Sequence, residues 1–79
     1  MDTKSLVHMA NRIGEFFSSM PDRDEAIDGI ANHLRNYWEP RMRLQLLAHA
    51  DEELCDSGLS SIVTLTLERK RESIAPVPR

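Results

Sequence analysis

Apolar residues recur every three or four positions along the first half of the chain, which is the spacing of an amphipathic helix. Between Thr3 and Met20 one face collects the apolar side chains of Leu6, Ala10, Ile13, Phe17 and Met20, widened by Val7, Met9 and Phe16. Pro21 ends this first predicted helix, because proline lacks the N–H that a helix interior needs. Gly14 lies near the apolar face, where it is either merely tolerated or lets a second backbone approach closely.

A second helix is predicted from Asp22 and Glu25, whose spacing resembles a capping box. Its apolar stripe comprises Ala26, Ile27, Ile30, Ala31, Leu34, Tyr37 and Trp38. Pro40 suits the first position of a third helix, where a missing N–H costs nothing. This third helix is expected to bury Met42, Leu46, Leu47, Ala50 and Leu54. It should end between residues 51 and 58, where acidic residues oppose the helix dipole and Gly58 is a natural stop.

The segment from Ser60 to Arg71 fits two kinds of secondary structure. Leu59, Ile62, Val63 and Thr66 have helical spacing, whereas the run IVTLTL also alternates like a strand. A single strand would have no partner in a helical chain of this length, so we predict a fourth helix. Prolines at positions 76 and 78 favour an extended, mobile end. The expected fold is all-α, a bundle of three to four helices over residues 1–72 with short proline-containing connections and a flexible tail over 73–79.

The size of the chain limits how such a bundle is stabilised. A domain of 79 residues removes only about 60% of its unfolded surface from water, so its core is thin. Cys55 is the only cysteine, which excludes an intrachain disulfide. Helix packing and a partner are the remaining sources of stability, and the pairing of two identical copies stays open.

The charge balance argues against a dedicated nucleic-acid protein. The chain has 10 basic and 13 acidic residues, a net charge of -3, whereas nucleic-acid binders carry a basic excess. A local basic patch built from Arg35, Arg41, Arg43 and residues 69–71 keeps one alternative open, a small helical DNA-binding regulator. No apolar stretch is long enough to span a bilayer, and the first residues do not resemble a signal peptide, so we expect a soluble protein in a reducing compartment.

Candidate catalytic chemistry is weak. Cys55 is surrounded by acidic residues, which raise a thiol pKa and oppose a reactive thiolate. The histidines at positions 8, 33 and 49 have no helical spacing that would form half of a metal site. We therefore expect neither an enzyme nor a bound metal or cofactor.

The stretch YWEPRMR, residues 37–43, is the most unusual part of the chain. It sets two of the four aromatic residues beside a proline and two arginines, and tyrosine, tryptophan and arginine are enriched in binding hot spots. The candidate partner-binding residues are Tyr37, Trp38, Pro40, Arg41, Met42 and Arg43, together with His33. The residues alone equally allow Trp38 to be core and the arginines to be solvated surface.

Two longer segments resemble a known family. LVHMANRIGEFF (6–17) and PDRDEAIDGIANHLRNYWEPRMR (21–43) are similar to the delta subunit of soluble NAD-dependent formate dehydrogenases. That family has a MAN-x-IG-x-FF helix, then an IA-x-H-L helix that runs into an aromatic–Trp–x–Pro–Arg–Met–Arg segment. The resemblance covers roughly residues 5–50, with Tyr37 where phenylalanine is more usual, and it is loose after Leu54.

The resemblance implies a non-catalytic accessory subunit of a cytoplasmic oxidoreductase complex. In such complexes the molybdenum (or tungsten) pterin, the iron–sulfur clusters and the flavin belong to larger subunits, which couple formate oxidation to NAD reduction. This chain would bind those subunits, with no nucleic acid or membrane involved, and support assembly or stability. In this hypothesis Trp38 is the apolar anchor, Pro40 fixes the corner, and Arg41 and Arg43 donate hydrogen bonds to acidic groups of the partner.

Overall fold

A computed structural model describes residues 2–53 and 56–76. These ranges contain the helices α1 (Thr3–Phe17), α2 (Arg23–Tyr37), α3 (Pro40–Glu52), α4 (Ser61–Arg69) and α5 (Arg71–Ile74), and no strand. The predicted all-α fold is confirmed, and the ambiguous segment after Ser60 is helical. The expectations for Leu54, for Cys55 and for the last three residues of the tail fall outside the described residues.

Side chains close the ends of the first two helices. α1 ends at Phe17, earlier than predicted, and the hydroxyl groups of Ser18 and Ser19 donate to the carbonyl oxygens three residues before them, at 2.8 and 2.9 Å. Carbonyl groups that the last turn of a helix leaves unpaired are thereby satisfied. Asp22 caps α2 as predicted, because its carboxylate accepts a 2.9 Å hydrogen bond from the backbone N–H of Asp24. α3 begins with Pro40 at its first position.

α2 is the central element of the core. Its buried residues are Ala26, Ile27, Ile30, Ala31 and Leu34, and it packs against α1, α4 and α5. Among the described residues, the largest completely buried side chains are Leu6, Ile27, Ile30, Leu34, Leu46, Val63, Thr66 and Ile74. These residues come from all five helices, so every helix contributes to the core. Each buried aliphatic side chain of this size stabilises the fold by about 1.5–3 kcal/mol.

The MAN-x-IG part of α1 holds α4 in place. A Cβ atom at Gly14 would lie 2.7 Å from Cγ2 of Val63, so glycine leaves room for α4 to pack this closely. The nearest atoms belong to side chains of α4 and its N-cap, not to a second backbone as the sequence had suggested. Three residues earlier, the Asn11 amide donates to the Gly58 carbonyl and its oxygen accepts from the Ser60 N–H, both at 2.8 Å. Gly58 has a φ of +78°, which glycine adopts without strain.

The packed domain extends past the expected boundary at residue 72. Ile74, in α5, is completely buried, and its carbonyl oxygen accepts a 3.0 Å hydrogen bond from Nη1 of Arg43. α5 is thereby fixed against the start of α3. None of the helices formed by residues 2–53 and 56–76 combines the length and the apolar character needed to cross a membrane.

Candidate functional site

The two adjacent aromatic residues at the end of α2 differ in their environment. Trp38 is only 6% exposed and belongs to the core, whereas Tyr37 is 75% exposed. The backbone N–H of Trp38 also donates to the Leu34 carbonyl, which completes the last turn of the helix. Trp38 therefore fills the interior of its own chain and offers almost no surface to a partner in this conformation.

The residues after Trp38 also differ in whether they are exposed or buried. Pro40 and Arg41 are exposed, whereas Met42 is half-buried and packs against the core. Arg43 is also half-buried; one of its terminal nitrogens binds the Ile74 carbonyl, and its Nε has no hydrogen-bond partner among the described residues. Of the predicted partner-binding residues in 37–43, Tyr37, Pro40 and Arg41 face solvent, and Trp38, Met42 and Arg43 support them from inside.

A continuous row of rings crosses the outer surface of α1 and α2. We call it the aromatic strip; it consists of Phe16, Phe17, His33 and Tyr37. Neighbouring ring centroids are 5.1 Å apart for Phe16 and Phe17, 6.4 Å for Phe17 and His33, and 4.8 Å for His33 and Tyr37. These separations fall in the range where aromatic pairs attract one another. The structure thus joins the predicted His33 and Tyr37 to two phenylalanines that the sequence had not marked as partner-binding.

The two phenylalanines have different roles in the aromatic strip. Phe17 is half-buried and lies over the backbone of α2, since a Cβ at Gly29 would come within 2.6 Å of Cδ1 of its ring. Phe16 is turned outward and is 73% exposed. The helical spacing of Phe16 placed it at the edge of the apolar face. Its exposure could have been inferred from the two adjacent phenylalanines, because side chains at consecutive helical positions point about 100° apart.

A shallow pocket lies at the α1 end of the aromatic strip. Its volume is about 330 Å³, and its lining residues are Arg12, Ile13, Phe16, Phe17 and His33. Arg12 is exposed and is the one charged residue in this lining. The pocket is therefore lined almost entirely by apolar surface, with one exposed arginine at its edge.

The basic run at residues 69–71 lies elsewhere, beside a groove of about 1300 Å³ between the start of α3 and the α4–α5 region. Each of its cations faces an aspartate of the same chain: Arg69 pairs with Asp24 at 3.1 Å, Lys70 with Asp28 at 2.8 Å, and Arg71 with Asp51 at 2.6 Å. These pairs tie α4 and α5 to α2 and α3. They also neutralise the charge that a DNA-binding regulator would direct at phosphates.

The pair formed by Arg71 and Asp51 is the best defined of the three. Two guanidinium nitrogens donate to the two carboxylate oxygens, at 2.9 and 2.6 Å, a bidentate arrangement that strengthens a charge-assisted hydrogen bond. The hydrogen bond from Arg71, together with its positive charge, lowers the pKa of Asp51. Both side chains are about half exposed, so the pair orients α5 more than it stabilises the fold.

His49 and His33 have different surroundings in the structure. His49 forms a 2.8 Å hydrogen bond with the Ser57 carbonyl, and His33 lies in the aromatic strip. Within residues 2–53 and 56–76 no group of three or more histidine, cysteine or acidic side chains is arranged to hold a metal ion. Cys55 lies outside these ranges.

Comparison with known proteins gives one family. The family model described as "NADH-dependent formate dehydrogenase delta subunit FdsD" matches residues 5–67. The matched region contains the whole aromatic strip, the 37–43 corner and the Asn11–Gly14 contacts to the start of α4. No curated protein and no solved structure matches the chain.

Proposed function

The chain belongs to the delta-subunit family of NADH-dependent formate dehydrogenases, and from this membership we propose that it is a non-catalytic accessory subunit of such an enzyme. It binds the larger subunits in the cytoplasm and supports the assembly or stability of the complex. The observation that carries the proposal is the extent of the family match: residues 5–67 include nearly all of α1 to α4, so the shared function belongs to the packed domain.

The chemistry of the complex belongs to the larger subunits in this proposal. They carry the molybdenum (or tungsten) pterin, the iron–sulfur clusters and the flavin, and they pass electrons from formate to NAD. The small subunit acts through binding equilibrium, because a protein that binds only the folded, assembled state stabilises that state. When the free concentration of the chain is one hundred times its dissociation constant, binding stabilises the assembled state by about 2.7 kcal/mol.

The exposed residues of the corner and of the preceding helix turn provide the contacts. Tyr37, Pro40 and Arg41 face solvent and meet the larger subunits, with His33 beside them. Trp38, Met42 and Arg43 keep these residues in position from inside the domain. Arg41 extends from the first turn of α3, where a partner carboxylate would offset the unfavourable helix dipole.

Co-expression tests this function. The larger subunits are produced with and without this chain, and the yield, the subunit content and the heat inactivation of formate-dependent NAD reduction are compared. We expect the chain to co-purify in a fixed ratio, and the complex that lacks it to assemble in lower yield or to lose activity at a lower temperature. The turnover rate per intact complex should be the same in both preparations, because the chain supplies no reacting group.

Two results would contradict the proposal. One is that the chain elutes separately from the larger subunits, whose yield and stability are the same with and without it. The other is a complex that is fully assembled and stable without the chain but turns over formate only when the chain is added, since this would place a reacting group on it.

A further inference from the structure

The aromatic strip presents two large exposed rings, those of Phe16 and Tyr37, on the surface of α1 and α2. Single exposed apolar residues are common on protein surfaces and carry no meaning by themselves. Here two of the four aromatic residues of the chain, Phe16 and Tyr37, are 73% and 75% exposed, and Phe17 and His33 join them into one row of rings. A continuous exposed apolar patch is typical of an interaction surface.

The rings are also held in place before any partner arrives. Phe17 is fixed against the backbone of α2 at Gly29, Phe16 meets its edge at a right angle, and Tyr37 lies against His33 one helical turn away. Aromatic side chains have only two rotatable angles, and ordering them in advance reduces the entropy lost on binding. The half-buried rings of the aromatic strip are therefore positioned by contacts within the chain, and the exposed rings lie against them.

The charge at the pocket indicates the chemistry of its occupant. Arg12 lies at the rim, and no carboxylate among the described residues lies within ion-pair distance of it. The residues that line the pocket include no carboxylate. A second copy that paired through the same surface would bring the same cationic pocket rim, so a partner with an acidic group beside an apolar side chain fits better.

We propose that a larger formate dehydrogenase subunit docks on the aromatic strip, where it inserts an apolar side chain into the pocket beside Phe16 and sets a carboxylate against Arg12. The inference rests on the proposed function, because family membership supplies the partner. It shifts the apolar anchor from Trp38, which is buried, to Phe16 and Tyr37. Arg12 takes the role of a charge-assisted donor.

The test measures affinity for the complex of larger subunits prepared without this chain. The double variant Phe16→Ala/Tyr37→Ala should bind at least about tenfold more weakly, since aromatic anchors dominate the energy of such interfaces. Arg12→Gln should weaken binding and reduce its dependence on salt. Leu44→Ala is the matched control: Leu44 is also an exposed large apolar residue, at 54%, but lies on α3 outside the aromatic strip, and the variant should bind within about twofold of the unmodified chain.

The outcomes separate this inference from the proposed function. If the unmodified chain does not bind the larger subunits, both are wrong. If it binds and the double variant binds equally well, with an unchanged circular dichroism spectrum, the docking surface lies elsewhere and only this inference is overturned. Sedimentation of the isolated chain tests whether a second copy of the chain occupies the aromatic strip instead. The strip would be a self-association surface if the unmodified chain is a dimer, the double variant is a monomer, and both bind the complex equally well.

Discussion

In each of two pairs of adjacent aromatic residues, one side chain packs against the core and the other lies at the surface. In α1, Phe17 packs on Gly29 while Phe16 is exposed, and at the end of α2, Trp38 is buried while Tyr37 is exposed. The direction of a helical side chain changes by about 100° per residue. One residue of such a pair can therefore stabilise the fold while its neighbour is available for binding.

This division predicts opposite effects of two neighbouring substitutions. Trp38→Ala removes a large buried side chain and should lower the free energy of unfolding by about 3–5 kcal/mol, a large part of the 5–15 kcal/mol typical of a domain. Tyr37→Ala removes an exposed ring and should change it by less than about 0.5 kcal/mol. Urea denaturation followed by far-UV circular dichroism compares the two; equal midpoints would show that Trp38 does not support the core.

Helical periodicity could predict part of the candidate site. It placed His33 at the edge of the apolar stripe and Tyr37 within it; the structure finds both in the aromatic strip, with Tyr37 exposed rather than buried. It could not tell that Trp38 would be covered while Phe16 would not, because that depends on which other helix lies over each edge. The burial of Trp38 is a property of the tertiary arrangement, and a residue pattern within one helix does not contain it.

At the scale of elements, short contacts determine how α4 and α5 are placed. Asn11 binds the backbone on both sides of Leu59, and Gly14 admits Val63. A four-residue helix such as α5 is not stable by itself. It forms because Ile74 enters the core and the Ile74 carbonyl binds Arg43.

The bidentate pair of Asp51 and Arg71 predicts a pH-dependent effect. Because the pKa of Asp51 is lowered in the folded state, the pair stabilises the fold above the ordinary carboxyl pKa of 3.8, and this contribution is lost as the pH falls through the lowered value. The Asp51→Asn variant lacks this stabilising contribution at every pH. The variant should therefore melt slightly below the unmodified chain at pH 7, and the difference should disappear well below pH 3.8.

Thermal unfolding across this pH range measures that difference. The pair is exposed, so the effect at pH 7 should be small and should shrink in high salt. A difference that persists unchanged at low pH would mean that the asparagine disturbs something other than the ion pair.

The elements themselves were largely predictable from sequence. Prolines 21 and 40 mark the breaks between helices, Asp22 caps α2, and the lack of a partner strand correctly favoured a helix for α4. α5 was missed because one apolar residue, Ile74, has no periodic neighbours in the tail. Its burial comes from long-range packing that local patterns do not report.

At the scale of the whole molecule, the chain is as compact as a self-sufficient domain. Its radius of gyration is 11.5 Å, close to the value of about 12 Å expected for a globular chain of this length. Buried side chains from all five helices form one core, and the exposed rings of the aromatic strip lie outside it. A packed domain with exposed aromatic rings suits the proposed role of an accessory subunit of a larger enzyme.

The most direct test of this account is hydroxyl-radical footprinting of the isolated chain and of the assembled formate dehydrogenase complex, with labelling quantified at individual residues. Docking through the aromatic strip predicts that Phe16 and Tyr37 are labelled strongly in the isolated chain and become protected in the complex, while labelling of Leu44 stays the same. Equal labelling of Phe16 and Tyr37 in both states, in a complex that contains this chain, would contradict the account.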